Sequence, residues 1–117
     1  MASGDLSFFY ANGQLTGSAA DLYAIPAGKT LMHAELILFN TDASTAYRAD
    51  IHITDSGGSV SDTNQVIGQV AGVTDIVAGE TVTMQINQHA PTGYKIRGLA
   101  STTAKISYFL SGELRED

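Results

Sequence analysis

Polar and apolar residues alternate along most of this chain. In the segment 46–54, Tyr47, Ala49, Ile51 and Ile53 fall on one side and Arg48, Asp50, His52 and Thr54 on the other. That period of two is what a strand with one buried face requires. Residues 81–87 repeat it, with Val82, Met84 and Ile86 inward and Thr83 and Gln85 outward. Tyr94, Ile96 and Gly98 against Lys95 and Arg97 make a third strand, and Ile106, Tyr108 and Leu110 against Lys105, Ser107 and Ser111 a fourth. Residues 30–39 contain good helix formers, yet Met32, Ala34, Leu36 and Leu38 also keep a period of two. With strand-like segments on either side, a helix would lack a face to pack on, and a long strand is expected there.

Turn signals separate these segments. Ile25-Pro26-Ala27-Gly28 predicts a type I turn closed by Gly28, and Ser56-Gly57-Gly58-Ser59 and Ala78-Gly79-Glu80 predict further turns. Ile25-Pro26-Ala27-Gly28-Lys29-Thr30 is echoed by Ile76-Val77-Ala78-Gly79-Glu80-Thr81, as two related corners of a sandwich would be. The echo is too short to establish a duplication. Strand signals at this spacing predict an all-β fold: a single antiparallel β-sandwich, jelly-roll-like, of about eight strands. Residues 20–117 read as the sandwich domain. Residues 1–19 read as a first strand or as an arm that docks onto a neighbour, because Leu6-Ser7-Phe8-Phe9-Tyr10 interrupts an otherwise small and polar stretch.

Composition narrows the possible functions. The 117 residues fit one domain, and the chain has no cysteine, which excludes disulfides, Cys-ligated zinc and a thiol nucleophile. Twelve acidic residues against six basic ones give a net charge of −6, a poor balance for binding nucleic acid or an anionic membrane. No apolar run is long enough to span a bilayer, and Met1-Ala2-Ser3-Gly4-Asp5 lacks the basic flank of a signal peptide. Only 15% of residues are charged, which suits a surface packed against partners.

Candidate chemistry is sparse. Gly28-Lys29-Thr30 looks like the end of a phosphate-binding loop, but Tyr23 stands where that motif needs glycine, and a strand is expected to follow instead of a helix. His33, His52 and His89 have no metal-ligand spacing, although Asp50 and His52 share a strand face. Asp55 and Asp62 flank a Gly-Ser loop without the alternating carboxylates of a calcium-binding hand. Gly57-Gly58-Ser59-Val60-Ser61 is not a nucleophile elbow, and a sandwich this small has little room for a glycosidase cleft. No catalytic, cofactor-binding or metal-binding residue is assigned, and the chain is not expected to be an enzyme. Among the aromatic residues most should be core, but Phe109 is out of phase with its neighbours and is expected to face outward, with Phe39 and Leu99 ambiguous in the same way. Apolar residues on both faces of a strand imply a second covering layer, hence oligomerisation.

The two corners and their neighbours carry a resemblance. Leu22-Tyr23, Pro26 to Thr30, Asn40-Thr41, Gly57-Gly58-Ser59, Ala78 to Thr81, Gly93 to Ile96, Ala100-Ser101-Thr102 and Ser111-Gly112 follow one another in order over residues 20–112. The run resembles a small β-sandwich family among the virion proteins of tailed bacteriophages, which serve as capsid decoration, head fibres or tail parts. The resemblance implies a non-enzymatic virion structural protein, most simply a decoration (cement) protein on the outer capsid surface. Its partners would be the major capsid protein and its own copies, as a homotrimer, with no cofactor, nucleic acid or membrane. The alternative is a tail or head-fibre module that binds a host receptor or glycan, though the absence of Trp speaks against a large aromatic platform. Leu6, Phe8, Phe9, Tyr10 and Phe109 are the candidate contacts to capsid or subunit.

Overall fold

The computed structural model describes residues 3–55 and 65–117, and for 65–75 the backbone alone. The predicted Ser56–Ser59 turn, the Gly57–Ser61 segment and Asp62 lie outside the described residues. Among the described residues there are eight strands: β1 (Leu6–Gln14), β2 (Ala20–Ala24), β3 (Lys29–Asn40), β4 (Tyr47–Thr54), β5 (Gln65–Ile76), β6 (Thr81–Ile86), β7 (Lys95–Ala100) and β8 (Ile106–Glu116). They form two four-stranded sheets, sheet I in the order β1-β8-β3-β6 and sheet II in the order β2-β7-β4-β5. All pairings are antiparallel. β1 pairs with β8, β2 with β7, β3 with β6 and β4 with β5, as in one long hairpin. Rolling that hairpin up places successive pairs in alternate sheets, which is the jelly-roll arrangement. The expected all-β sandwich is therefore the fold, and residues 30–39 are extended.

The predicted inward residues meet between the sheets. Ala34, Leu36 and Leu38 of β3, Ala49, Ile51 and Ile53 of β4, Ile86 of β6, Ile96 of β7 and Ile106 and Leu110 of β8 are all buried, and Leu114, which the pattern did not single out, joins them. β3 departs from strict alternation. Its register against β8 shifts between Leu31 and His33, so Leu31 is buried, Met32 is only partly so and His33 is exposed. One extra residue in a strand reverses the facing of everything before it. β4 departs too: His52 and Thr54, expected to be exposed, are buried. β4 lies between β7 and β5, with His52 opposite Arg97, so its outer side chains have neighbours on both sides.

Both corners that echo one another carry the chain from sheet II to sheet I. Lys29 N–H donates to Pro26 O at 3.3 Å and Glu80 N–H to Val77 O at 2.9 Å. Gly28 (φ 74°) and Gly79 (φ 76°) hold the third position of each turn. A positive φ at that position belongs to a type II geometry, so the first corner is not the predicted type I turn and starts one residue later, at Pro26. The left-handed residue has to come before the closing amide, and only Gly28 takes that conformation without strain.

Asn40 locks the far end of β3. Its fully buried side chain donates from Nδ2 to Thr45 O at 2.9 Å and Ile76 O at 2.8 Å, and Oδ1 accepts from Asp42 N–H at 2.9 Å. Three segments are thereby tied to one amide. Asn40→Ala leaves those groups without their partner, and we expect a loss of about 3 kcal/mol in denaturant unfolding.

Among the described glycines, Gly112 has the tightest surroundings. A Cβ there would lie 2.4 Å from the backbone oxygen of His33 and 2.7 Å from the Phe9 ring, which itself stacks on Tyr23 of sheet II with centroids 4.0 Å apart. At Gly98 a Cβ would meet only side-chain ends, Ile51 at 2.9 Å, Leu22 at 3.2 Å and Leu15 at 3.3 Å, and no backbone. Gly112→Ala should therefore cost about 3 kcal/mol or more and Gly98→Ala about 1 kcal/mol, measured as the shift in denaturation midpoint at constant slope.

Candidate functional site

The two outer faces of the sandwich differ in chemistry. On sheet II the outward side chains pair charges: Arg48 Nη2 lies 2.9 Å from Asp50 Oδ1, Arg97 pairs with Asp21, and Lys95 Nζ is 3.7 Å from Asp21 Oδ2. Arg97 also donates to Ala19 O at 3.1 Å. On sheet I an apolar, largely aromatic cluster stands among polar outward side chains. Leu6, Phe8 and Tyr10 of β1, Phe39 of β3 and Phe109 of β8 are all exposed, Phe8 by 83% and Tyr10 by 75%.

The register explains how these rings gather. Tyr10 faces Ser111 across the β1–β8 ladder and Asn12 faces Phe109. Tyr10 and Phe109 are therefore diagonal neighbours on one face, within reach of aromatic side chains. Their rings are parallel to within 6°, with centroids 6.2 Å apart. Farther across the sheet the row becomes polar. Gln85 Nε2 donates to Glu35 Oε2 at 2.8 Å, and His33 Nε2 lies 3.3 Å from Glu113 Oε1. Between them lies an open depression of about 450 Å³, lined by Phe8, Tyr10 and Phe109 on one side and by His33, Glu35 and Gln85 on the other.

Of the five residues singled out as contacts, Leu6, Phe8, Tyr10 and Phe109 stand on this face. Phe9 points the other way and is buried. A strand sends adjacent residues to opposite faces, so Phe8 and Phe9 could not both face outward. Phe39 also lies outward, and Leu99 is partly buried on the outer side of β7. Glu35 and Gln85 were not foreseen, because their pairing depends on the β3–β6 register. The three histidines lie apart: His33 on sheet I, His52 on sheet II and His89 exposed beyond β6. Among the described residues no three His, Asp or Glu side chains gather as a metal site would need.

The fold shifts three titrating groups: burial raises the pKa of Tyr23, and two other groups are lowered. Burial lowers the pKa of His52 below its ordinary 6.5, opposed in part by the charge of Asp50. The Asp42 carboxylate is lowered to about 2, first by the N–H groups of Ser44 and Thr45, at 2.8 and 2.9 Å, against a smaller opposing effect of burial, and further by Lys105.

No protein-family model matches the sequence, and no curated protein matches it. The fold does have solved relatives in shape. A chain of the acid-stable capsid of Helicobacter pylori bacteriophage KHP30 superposes with a TM-score of 0.64 at 11% identity, over 97% of this chain and 90% of that one. A chain of Desmodium yellow mottle tymovirus gives 0.57 at 10% identity, over 99% and 89%. A chain of the Bacillus endospore appendages, described as disulfide-linked pili, gives 0.55 at 15% identity, over 99% and 94%. Structural neighbours of this chain are thus capsid and pilus proteins, and the likeness at these identities is one of fold.

His52 and Asp42 each bind fewer protons folded than unfolded, so acid destabilises the protein through each. The His52 contribution is complete above about pH 6.5 and declines as pH falls below it; that of Asp42 declines from about pH 4 towards 2. Unfolding free energies measured across pH should fall in these two windows, with His52→Gln flattening the upper one and Asp42→Asn the lower.

Proposed function

We propose that this chain is a non-enzymatic structural protein of a bacteriophage virion, a decoration protein that sits on the outside of the capsid and cements neighbouring copies of the major capsid protein. The observation that carries this reading is the contrast between the two outer faces. An ion-paired face stands in water without further cover, whereas an aromatic face of this extent marks a contact surface. Sheet I would lie against the capsid and sheet II would face outward. The net charge of −6 is tolerable there and unfavourable on a wall that faces DNA. A homotrimer, which the sequence resemblance implies, would present three aromatic faces at once, and weak contacts would add through avidity. The jelly-roll fold shared with capsid chains supports the reading at the level of architecture.

One observation favours a second reading, a tail or head-fibre module that binds a host receptor or glycan. Phe8, Tyr10 and Phe109 form a platform of rings beside the Glu35–Gln85 pair. Ring faces next to fixed polar groups suit a sugar, which has one apolar face and a rim of hydroxyls.

Purified protein added to expanded empty capsids should saturate at a stoichiometry tied to the lattice and raise the temperature of capsid disruption. Phe109→Ser should weaken that binding roughly tenfold or more while the domain stays folded. A few copies per particle confined to the tail, or saturable binding to host-surface glycans without capsid binding, would favour the second reading instead.

A further inference from the structure

The β1 strand has a property that the aromatic face alone does not explain. It is an edge strand, paired only with β8. At one end of that ladder Glu116 N–H donates to Asp5 O at 2.8 Å, and at the other Leu15 N–H donates to Ile106 O at 2.8 Å. No bulge interrupts the register between them. Antiparallel ladders alternate bonded and non-bonded pairs, so the odd-numbered residues of β1 bond to β8. The N–H and C=O groups of Leu6, Phe8, Tyr10 and Asn12 therefore point away from the sheet, along its free edge. These are also the residues whose side chains stand on the aromatic face.

The remaining edges carry features that discourage pairing, and β1 carries none. β6 is six residues long, with polar Thr81, Thr83 and Gln85 exposed. β2 is five residues long, with a register irregularity between Asp21 and Tyr23 and a charged Asp21. β5 has several register shifts against β4. β1 runs nine residues, LSFFYANGQ, without a charge or a proline.

We propose that two copies of this chain associate by antiparallel pairing of their β1 strands, which joins their two sheets I into one eight-stranded sheet. The geometry is self-complementary. Only the even-numbered residues have free backbone groups, so an antiparallel pair sets even residues against even residues. In such a register Phe8 stands opposite Tyr10 of the partner subunit and Tyr10 opposite Phe8 of the partner subunit, all on one face. The electrostatics agree, because a chain of net charge −6 meets its own copy with least repulsion along a strand that has no charged side chain. The four largely exposed rings, Phe8 and Tyr10 of each copy, meet flank to flank along the seam, adding apolar contact to the backbone hydrogen bonds of a small interface. Such a contact is two-fold, hence distinct from any contact within a trimer. It holds or fails independently of the virion role.

The test is the mass of the full chain at tens of micromolar, by sedimentation equilibrium or light scattering. The wild type should have an even number of copies: two, or six if trimers also form. Phe8→Pro removes an outward N–H and leaves the β1–β8 bonds in place, and Tyr10→Lys puts a charge on the edge. Each should halve the mass with an unchanged circular dichroism spectrum. Phe109→Ser, which alters the face but not the edge, should leave the mass as it was. A wild-type mass of one or three copies overturns the proposal, as does an even mass that both β1 variants retain. Capsid binding read on the same samples tests the virion role separately.

Discussion

Each strand of this protein has two faces, and only one of them can reach the core. That constraint organises everything else. Eight strands in two sheets turn their Leu, Ile and Ala side chains into a single layer, and the layer closes because the corners at Gly28 and Gly79 carry the chain across from sheet II to sheet I. Where the sheets need extra grip, larger groups are used: Phe9 lies over the bare backbone of Gly112 and stacks on Tyr23 of the opposite sheet. Glycine at position 112 is thus a matter of space, while at 28 and 79 it is a matter of backbone conformation.

The same constraint leaves two outer faces over, and their chemistry is not dictated by folding. Sheet II has Arg48, Lys95 and Arg97 with Asp21 and Asp50, an arrangement at home in water. Sheet I has rings. Exposed ion pairs contribute little to stability, so the charged face is a solvent face first. The rings contribute little to the core either, since Phe8 and Tyr10 are mostly in water. A surface that stabilises neither the inside of the molecule nor its hydration is best understood as half of a contact.

Much of this was legible in the residues. The four period-two segments around Tyr47, Val82, Ile96 and Leu110 became strands with the expected sides inward, because a strand with one wet face writes its orientation directly into composition. The outward position of Phe109 was legible for the same reason. What could not be read was whatever depends on a neighbouring strand. The register shift after Leu31 is a property of the β3–β8 pair, and the burial of His52 comes from its central place between β7 and β5. Glu35 and Gln85 are fifty residues apart in sequence and meet only through the β3–β6 register. The split between Phe8 and Phe9 follows from strand geometry once β1 is known to be a strand, and the sequence left open whether it was one.

Sheet position also decides what an aromatic residue means. Phe109 sits on β8, between β1 and β3, so its flanks are occupied and only its face is free. Phe8 and Tyr10 sit on the edge, where free backbone groups and free rings occur on the same residues. At an interior strand such rings can bind a partner only by lying against it. At an edge they can also be extended sideways by another strand, which satisfies backbone groups and covers ring surface in a single step. Two modes of contact, one over the face and one along the edge, are therefore compatible on one sheet, because pairing at the edge covers the flanks of the rings and leaves their outward surfaces free.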